Sequence, residues 1–185
     1  NLARYFSPNM IDSLAKADEP LGAVRSQSAG VLFADVVGFT RLSESLTPEQ
    51  TMALLRDFHR RMVEVVFAHG GTLDKFIGDC VMAQWGAPIG EPDDCDRAMQ
   101  SALDMMEELD RLNARWRTEG RPILEIGIGL NVGDVFAGNI GSDRRFNYTA
   151  IGDTVNFASR LEGANKAFGS RILLAEATYQ AAREH

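Results

Sequence analysis

The sequence contains no long apolar run. No stretch approaches the length of about 18 consecutive apolar residues that a membrane-spanning helix needs, and no signal peptide is recognisable. Cysteine is scarce, with only Cys80 and Cys95 and no CxxC pair, which excludes a disulfide framework and a paired-cysteine metal site. We therefore expect two reduced, partly buried thiols in a cytoplasmic chain that makes no membrane contact within this segment.

Basic residues are also in deficit. The chain has 19 Lys and Arg against 26 Asp and Glu, for a formal net charge of −7. A non-specific nucleic-acid binder usually has a basic face, so this balance argues against nucleic acid as a partner. No GxxxxGK[ST] motif occurs, which excludes a P-loop. The segment Gly127 to Gly133 misses the GxGxxG pattern by one residue, which argues against a dinucleotide fold.

Length and composition favour one globular domain. The chain has 185 residues, 45% of them hydrophobic, which is enough for one sizeable core and too few for two ordinary domains. We interpret residues 1–29 as an N-terminal helix that begins at Ser7 and a polar linker, Asp18 to Ser28, from an upstream domain. Residues 30–185 are the predicted folded domain. Residue 1 is Asn rather than Met, so we expect a piece of a longer protein.

Hydrophobic periodicity predicts alternating strands and helices. The predicted strands, in order, cover residues 31–34, 72–77, 81–85, 126–132, 148–151 and 171–174, and the predicted long helices begin near residues 47, 93 and 153. The order indicates an α+β fold with a ferredoxin-like βαββαβ core and extra strand–helix elements. We expect an antiparallel-rich sheet with helices packed on one face. Gly127, Gly129 and Gly133 leave one face of a strand nearly bare, which is typical of close helix packing.

Two acidic residues stand at the ends of apolar strands. Asp35 follows four apolar residues, and Asp79 lies in the turn of a predicted hairpin. If the two strands are neighbours, both carboxylates emerge at the same end of the sheet, where they repel each other and attract divalent cations. The alternative is structural, because Asp is also a favoured cap and turn residue. The segment after Asp35, which includes Val37, Gly38, Phe39 and Thr40, leads toward a helix and offers backbone N–H groups to phosphate.

Three further polar residues are candidates for ligand contacts. Asn156 and Arg160 are four residues apart on a predicted helix, so they share a face that can hold a ribose and a phosphate oxygen. A solvated helix face is the alternative. Lys75 lies on a strand, and simple alternation places it on the same face as Leu73 and Ile77. Such a lysine either extends to solvent at an edge or meets a partner.

Four ordered segments resemble the class III nucleotide cyclases. They are Phe33–Thr40 (FADVVGFT), Lys75–Asp79 (KFIGD), Gly127–Gly141 (GIGLNVGDVFAGNIG) and Tyr148–Glu162 (YTAIGDTVNFASRLE). The resemblance runs from about Val31 to Tyr179, and four blocks in the right order are not expected by chance. It implies an adenylyl cyclase catalytic domain that converts ATP to 3′,5′-cyclic AMP and pyrophosphate.

The resemblance also implies the roles of the site residues. Asp35, Asp79 and the main chain of Val36 would hold two divalent ions, Mg²⁺ or Mn²⁺. Asn156 would orient the ribose, and Arg160 would stabilise charge on the α-phosphate.

The family forms a head-to-tail homodimer, and its purine-reading positions fall on Lys75 and Thr149 here. These two residues, with Asn156 and Arg160, would face Asp35 and Asp79 of the other subunit. Lys75 can donate to adenine N1 and the Thr149 hydroxyl can accept from the 6-amino group, so ATP is the expected substrate. Guanylyl cyclases of this family carry an acidic residue at the Lys75 position. Thr in place of Asp at 149 marks a subgroup that includes bicarbonate-responsive enzymes, which makes bicarbonate a hypothetical regulator.

Two alternatives and one departure accompany this prediction. A guanylyl cyclase and a non-catalytic, cyclase-like dimerisation or regulatory domain are the competing functions. The family usually continues past the last residue, His185, into further strands with a phosphate-contacting Lys, so we expect the C-terminal strands to be missing.

Overall fold

A computed structural model describes residues 6–7, 11–12, 15, 24–142 and 145–183. Its strands are β1 (Arg25–Val36), β2 (Thr72–Ile77), β3 (Cys80–Trp85), β4 (Ile126–Ser142), β5 (Arg145–Ile151) and β6 (Ile172–Leu174). Its helices are α1 (Phe39–Glu44), α2 (Pro48–Ala68), α3 (Asp94–Thr118), α4 (Asp153–Phe168) and α5 (Glu176–Arg183). The predicted order of strands and long helices is confirmed, and α1 is an additional short helix.

One mixed sheet organises the molecule. The strand order is β2-β3-β1-β4-β5, and β6 pairs parallel with β4 while the other pairings are antiparallel. This arrangement confirms the α+β, antiparallel-rich prediction. Strand β1 lies at the centre, where its apolar residues are buried on both faces of the sheet.

The beginning of β1 differs from the prediction. Residues 25–28 were expected to be the end of a linker, but β1 pairs with β4 from Arg25, opposite Ala137, to Val36, opposite Ile126. The first four residues of β1 are mostly exposed and polar, so their sequence does not indicate a strand. Pairing with the long strand β4 holds them in an extended conformation. The predicted linker residues 18–23 lie outside the described residues.

Helices cover both faces of the sheet, so the expectation that they lie on one face is wrong. Helices α2 and α3 bury their apolar stripes with the Ile126, Ile128 and Leu130 side of β4. Helix α4 packs against the other side of β4, where a Cβ added at Gly129 would meet the backbone of α4. The bare glycine face of β4 therefore exists to admit a helix at close distance, as its sequence predicted.

The ends of several elements agree with local sequence signals. Thr47 caps α2 in a capping box, in which its hydroxyl accepts from Gln50 N at 3.2 Å and Gln50 Oε1 accepts from Thr47 N at 2.9 Å. At the N-terminus, Ile11 N donates to the carbonyl of Ser7 at 3.0 Å, which is a helical hydrogen bond at the predicted start. Most of that predicted helix lies outside the described residues. Among the helices that are described, none combines the length and the apolar character needed to cross a membrane.

Gly129 and Gly163 form a matched pair for testing the close packing of α4. Gly129→Ala would place a methyl group against helix backbone, so we expect a loss of about 1–3 kcal/mol in the free energy of unfolding. Gly163→Ala lies in the interior of α4 with open space around it, and we expect a gain of about 0.5–1 kcal/mol. Urea unfolding measures both changes, and equal stabilities of the two variants would contradict the packing.

Candidate active site

Asp35 and Asp79 meet at one end of the sheet. Strands β1 and β3 are neighbours, with Ala34 opposite Val81, so the end of β1 adjoins the β2–β3 turn that carries Asp79. The main-chain N–H of Val36 donates to Asp79 Oδ2 at 3.1 Å, and the two carboxyl groups are close enough to share a hydrogen bond. The predicted meeting of these side chains is confirmed, while their role as metal ligands stays a prediction.

This proximity is electrostatically costly without a counter-charge. Burial, then the hydrogen bond and the negative charge of Asp79, raise the pKa of Asp35 from 3.8 to about 7. Two carboxylates this close together have a high affinity for protons and, for the same reason, for metal cations.

The donor set fits a hard divalent ion that keeps open ligand positions. Both side chains supply oxygen, and no group of three or more His, Cys, Asp or Glu among the described residues is arranged to enclose a metal. Mg²⁺ is commonly held by one or two carboxylates together with water and substrate phosphate, which is the coordination that this pair leaves available.

Glu162 is a third carboxylate near the pair, and it was not among the site residues predicted from the sequence. It lies on the inward face of α4, where its Oε1 would stand 3.1 Å from a Cβ at Gly127. Burial and the charge of Asp79 raise the pKa of Glu162, and its charge also raises the pKa of Asp35. The available signal was its spacing, because positions 155, 158 and 162 form one helical stripe in which Glu162 is the acidic member.

His59 supports the turn that carries Asp79. Its Nε2 lies 3.2 Å from the Asp79 carbonyl oxygen, and its ring stacks on Phe76 with ring centroids 4.1 Å apart. Burial lowers the pKa of His59. Because a carbonyl oxygen can only accept, Nε2 carries the proton in this contact. This contact, made from α2, holds the hairpin turn against the helix layer.

The loop after Asp35 offers fewer free amides than predicted. The N–H of Val37 donates to the Glu125 carbonyl at 2.8 Å, so Val37 does not have the free amide expected of it. Gly38 caps α1 in a left-handed conformation with φ 67°, and Phe39 and Thr40 begin the helix, where N–H groups have no intrahelical acceptor. The loop borders a cleft of about 470 Å³ whose wall includes Asp35 and Glu162.

Asn156 and Arg160 lie on the outward face of α4, as their spacing predicted. Both are exposed, whereas Val155 and Ala158 are buried against the sheet. Within the described part of the chain, neither side chain has a hydrogen-bond or ion-pair partner. The exposed Phe157 lies between them in the sequence.

Lys75 and Thr149 come together through a side chain between them. Asp74 accepts from the Thr149 hydroxyl at 2.8 Å and lies 3.4 Å from Lys75 Nζ. The expectation that Lys75 shares a face with Leu73 is wrong, because the register of β2 shifts between Leu73 and Lys75. A β-bulge at Asp74 reverses the alternation, so Lys75 shares its face with Ile77 but not with Leu73.

Residues 21–185 match the family model described as the adenylate and guanylate cyclase catalytic domain. The chain belongs to this family.

Relatives of this cyclase domain agree with the assignment. It is 40% identical over 147 residues to adenylate cyclase 1 of Rhizobium meliloti (strain 1021), covering 80% of this chain and 22% of the relative. The crystal structure of the adenylyl cyclase CyaB from P. aeruginosa superposes with a TM-score of 0.82 and 37% identity, covering 88% of this chain and 84% of that one. The guanylyl cyclase Cya2 superposes with a TM-score of 0.80 and 34% identity over 87% of this chain and 81% of that one. The chain thus spans about a fifth of the Rhizobium relative and most of the two solved domains.

The repulsion between Asp35 and Asp79 predicts that neutralising one of the two carboxylates makes the fold more stable. In Asp79→Asn the amide oxygen can still accept from Val36 N, but the negative charge beside Asp35 is gone. In EDTA at pH 8 we expect the variant to be more stable than wild type by about 1 kcal/mol, since solvent screens this half-exposed pair. Urea unfolding measures the difference, and Asp110→Asn, at an exposed carboxylate on α3, is the control.

The same pair gives the stability a defined pH dependence. Folded Asp35 retains its proton up to about pH 7, whereas the unfolded chain releases it near 3.8. The folded state therefore binds more protons in this window, and the free energy of unfolding contributed by Asp35 falls as the pH rises through it. This fall should be smaller in Asp79→Asn, and an identical pH profile would contradict the coupling.

Proposed function

We propose that this domain is an adenylyl cyclase that converts ATP to 3′,5′-cyclic AMP and pyrophosphate, in two active sites at a head-to-tail homodimer interface. The observation that carries the proposal is the pair of carboxylates, Asp35 and Asp79, held together at the sheet end within hydrogen-bonding reach. Family membership and the similarity to adenylate cyclase 1 and CyaB support the choice of reaction.

Asp35 and Asp79 would hold two divalent ions, Mg²⁺ or Mn²⁺, with the main chain of Val36 as a further ligand. When bound, such ions acidify the ribose 3′-hydroxyl and neutralise the triphosphate and the departing pyrophosphate during in-line displacement. The protein's own contribution is to position these groups, because the nucleophile is already part of the substrate.

The two faces of α4 support a site shared between subunits. The inward face carries Glu162 toward Asp35 and Asp79 of the same chain. Asn156 and Arg160 project from the outward face, away from that pair. A complete site with both sets of residues therefore needs a second copy, whose outward face meets this chain's carboxylates.

Exposed apolar side chains near these residues support the same interface. Phe76 and Ile77 lead into the Asp79 turn and are 44% and 54% exposed, and Phe157, between Asn156 and Arg160 in the sequence, is 43% exposed. Phe136 and Ile151, paired across β4 and β5, are similarly exposed. Apolar surface of this kind around polar site residues is typical of a protein–protein interface.

Within the shared site, this chain's residues act mainly by orientation and charge. Arg160 presents a planar guanidinium that matches phosphate oxygens, and it stabilises the charge that develops on the α-phosphate. Asn156 orients the ribose. The amides of Gly38, Phe39 and Thr40 face the phosphates from the start of α1.

The choice of base follows from the hydrogen-bond donors and acceptors of the purine and of the two side chains. Adenine N1 accepts and its 6-amino group donates, which matches a donor at Lys75 and an acceptor at Thr149. Guanine has N1–H where adenine has an acceptor, so the Lys75 contact would be mismatched, at a typical cost of about 1–3 kcal/mol for a buried unpaired group. ATP is therefore the favoured substrate, although similarity to Cya2 makes GTP conversion the outcome to test against it.

Subunit mixing tests the shared site. We expect Asp35→Ala and Asn156→Ala each to be inactive, because each removes an essential part of both sites in its homodimer. An equal mixture should recover about a quarter of wild-type activity, since half of the dimers then contain one intact site. Cyclic AMP formation from ATP with Mn²⁺ is the measurement.

A mixture of Asp35→Ala with Asp79→Ala is the matched control, because both lesions fall on the same side of the site and no intact site can form. Inactive mixed dimers of Asp35→Ala and Asn156→Ala, with subunit exchange verified, would contradict the trans arrangement. No cyclic nucleotide from dimeric wild type would favour the non-catalytic alternative.

Lys75→Glu tests base selection. A carboxylate can accept from guanine N1–H but not from adenine N1, so we expect the ratio of kcat/KM for ATP to that for GTP to fall by about tenfold or more. Arg117→Glu, an equal charge reversal on the exposed face of α3, should leave the ratio unchanged. An unchanged ratio in Lys75→Glu would remove Lys75 from base reading.

Bicarbonate stimulation and a cytoplasmic location remain proposals. The first rests on Thr149 alone, and cyclase assays at fixed pH with and without bicarbonate decide it.

A further inference from the structure

Asp74 is a buried carboxylate that is not one of the proposed metal, phosphate, ribose or purine contacts. Its side chain is 0% exposed, although Asp is a residue type that is seldom fully buried without partners. It connects β2 with β5, which stand at opposite ends of the strand order. The sheet therefore curls until its two outer strands are joined by this side chain.

The β-bulge in β2 explains how an acidic residue reaches this position. Leu73 pairs with Ala83 and Lys75 pairs with Met82, which leaves Asp74 as the extra residue between them. A bulge re-aims the side chain of the residue that it inserts. Asp74 consequently turns toward β5.

Three donors surround the carboxylate and account for its burial. The Thr149 hydroxyl lies 2.8 Å from both Oδ1 and Oδ2, Ala150 N donates to Oδ2 at 3.0 Å, and Lys75 Nζ lies 3.4 Å from Oδ1. Burial raises the pKa of Asp74, and these three donors counteract that rise. The Ala150 N–H and the Lys75 ammonium can only donate, so an ionised Asp74 is the form that satisfies all three contacts.

The number of hydroxyl protons then restricts the hydrogen bonds that Thr149 can make to a ligand. A hydroxyl has one proton to donate and lone pairs to accept with, and an ionised carboxylate can only accept. We propose that Asp74 is a positioning residue for base selection, which occupies the only Thr149 proton and holds the Lys75 ammonium beside it. A bound purine would then meet an acceptor at Thr149 and a donor at Lys75.

This inference rests on the proposed function, because it assumes that Lys75 and Thr149 contact the base. The pattern of one fixed acceptor and one donor complements adenine at both positions and guanine at neither. Thr149 is 6% exposed, so only a small part of this residue is accessible to a purine edge in the single chain. Without Asp74, the hydroxyl could rotate and donate to guanine O6.

The experiment compares ATP with purine riboside 5′-triphosphate, which lacks the 6-amino group, in full steady-state kinetics with Mn²⁺. For wild type we expect kcat/KM to favour ATP by about tenfold, the value of one hydrogen bond. In Asp74→Asn the ratio should fall to within about twofold of unity, because the amide can donate to Thr149 and release its proton. Thr149→Val should show the same loss, and the double variant should lose nothing further.

Asp110→Asn, on the exposed face of α3, should keep the wild-type ratio. A purely structural role for Asp74 would lower kcat/KM for both triphosphates by the same factor and leave the ratio near tenfold, which would overturn the inference. Failure of the proposed function has a different signature, since wild type would then prefer GTP or convert no triphosphate.

Thr149→Asn tests the same idea without altering Asp74, and it decides the matter if Asp74→Asn does not fold. The carboxylate must take the amide N–H₂ of Asn, so the amide oxygen faces the purine and the ATP preference over the analogue and over GTP should persist. A gain of GTP conversion in Thr149→Asn would show that the amide turns freely, and would overturn the role of Asp74.

Discussion

Two carboxylates that repel each other determine the character of this domain. The antiparallel pairing of β1 with β3 brings Asp35 beside the Asp79 turn, and the Val36 amide and His59 ring hold that turn in place. The fold thereby accepts an electrostatic cost that a divalent ion would relieve. Such local instability is expected at a functional site where a bound ligand, rather than another part of the fold, neutralises the charges.

In the proposed mechanism, helix α4 is the element that makes two subunits necessary. Close packing of this helix on the glycine face of β4 brings Glu162 toward the carboxylate pair. The same packing leaves Asn156 and Arg160 on the outward face. Under that proposal, one helix contributes residues to two different sites. The close approach at Gly129 is the physical basis of this division, because any side chain there would displace the helix.

Sequence reasoning succeeded where local chemistry and periodicity agree. The starts of α2 near Thr47 and of α3 near Asp93, and the meeting of Asp35 with Asp79, all follow from short-range patterns or from strand adjacency. It failed at Lys75, because a β-bulge changes which face a residue occupies without any signal in the alternation. It also missed Glu162 and Asp74, whose surroundings are made by strands and helices that are distant in the sequence.

Electron paramagnetic resonance of bound Mn²⁺ can show whether the Asp35–Asp79 pair binds metal. With a non-cyclisable ATP analogue, metal binding by this pair predicts two magnetically coupled Mn²⁺ ions per bound nucleotide, and loss of that coupled signal in Asp35→Asn. Nucleotide binding with no Mn²⁺ retained at the site, or a coupled signal that Asp35→Asn leaves intact, would contradict it.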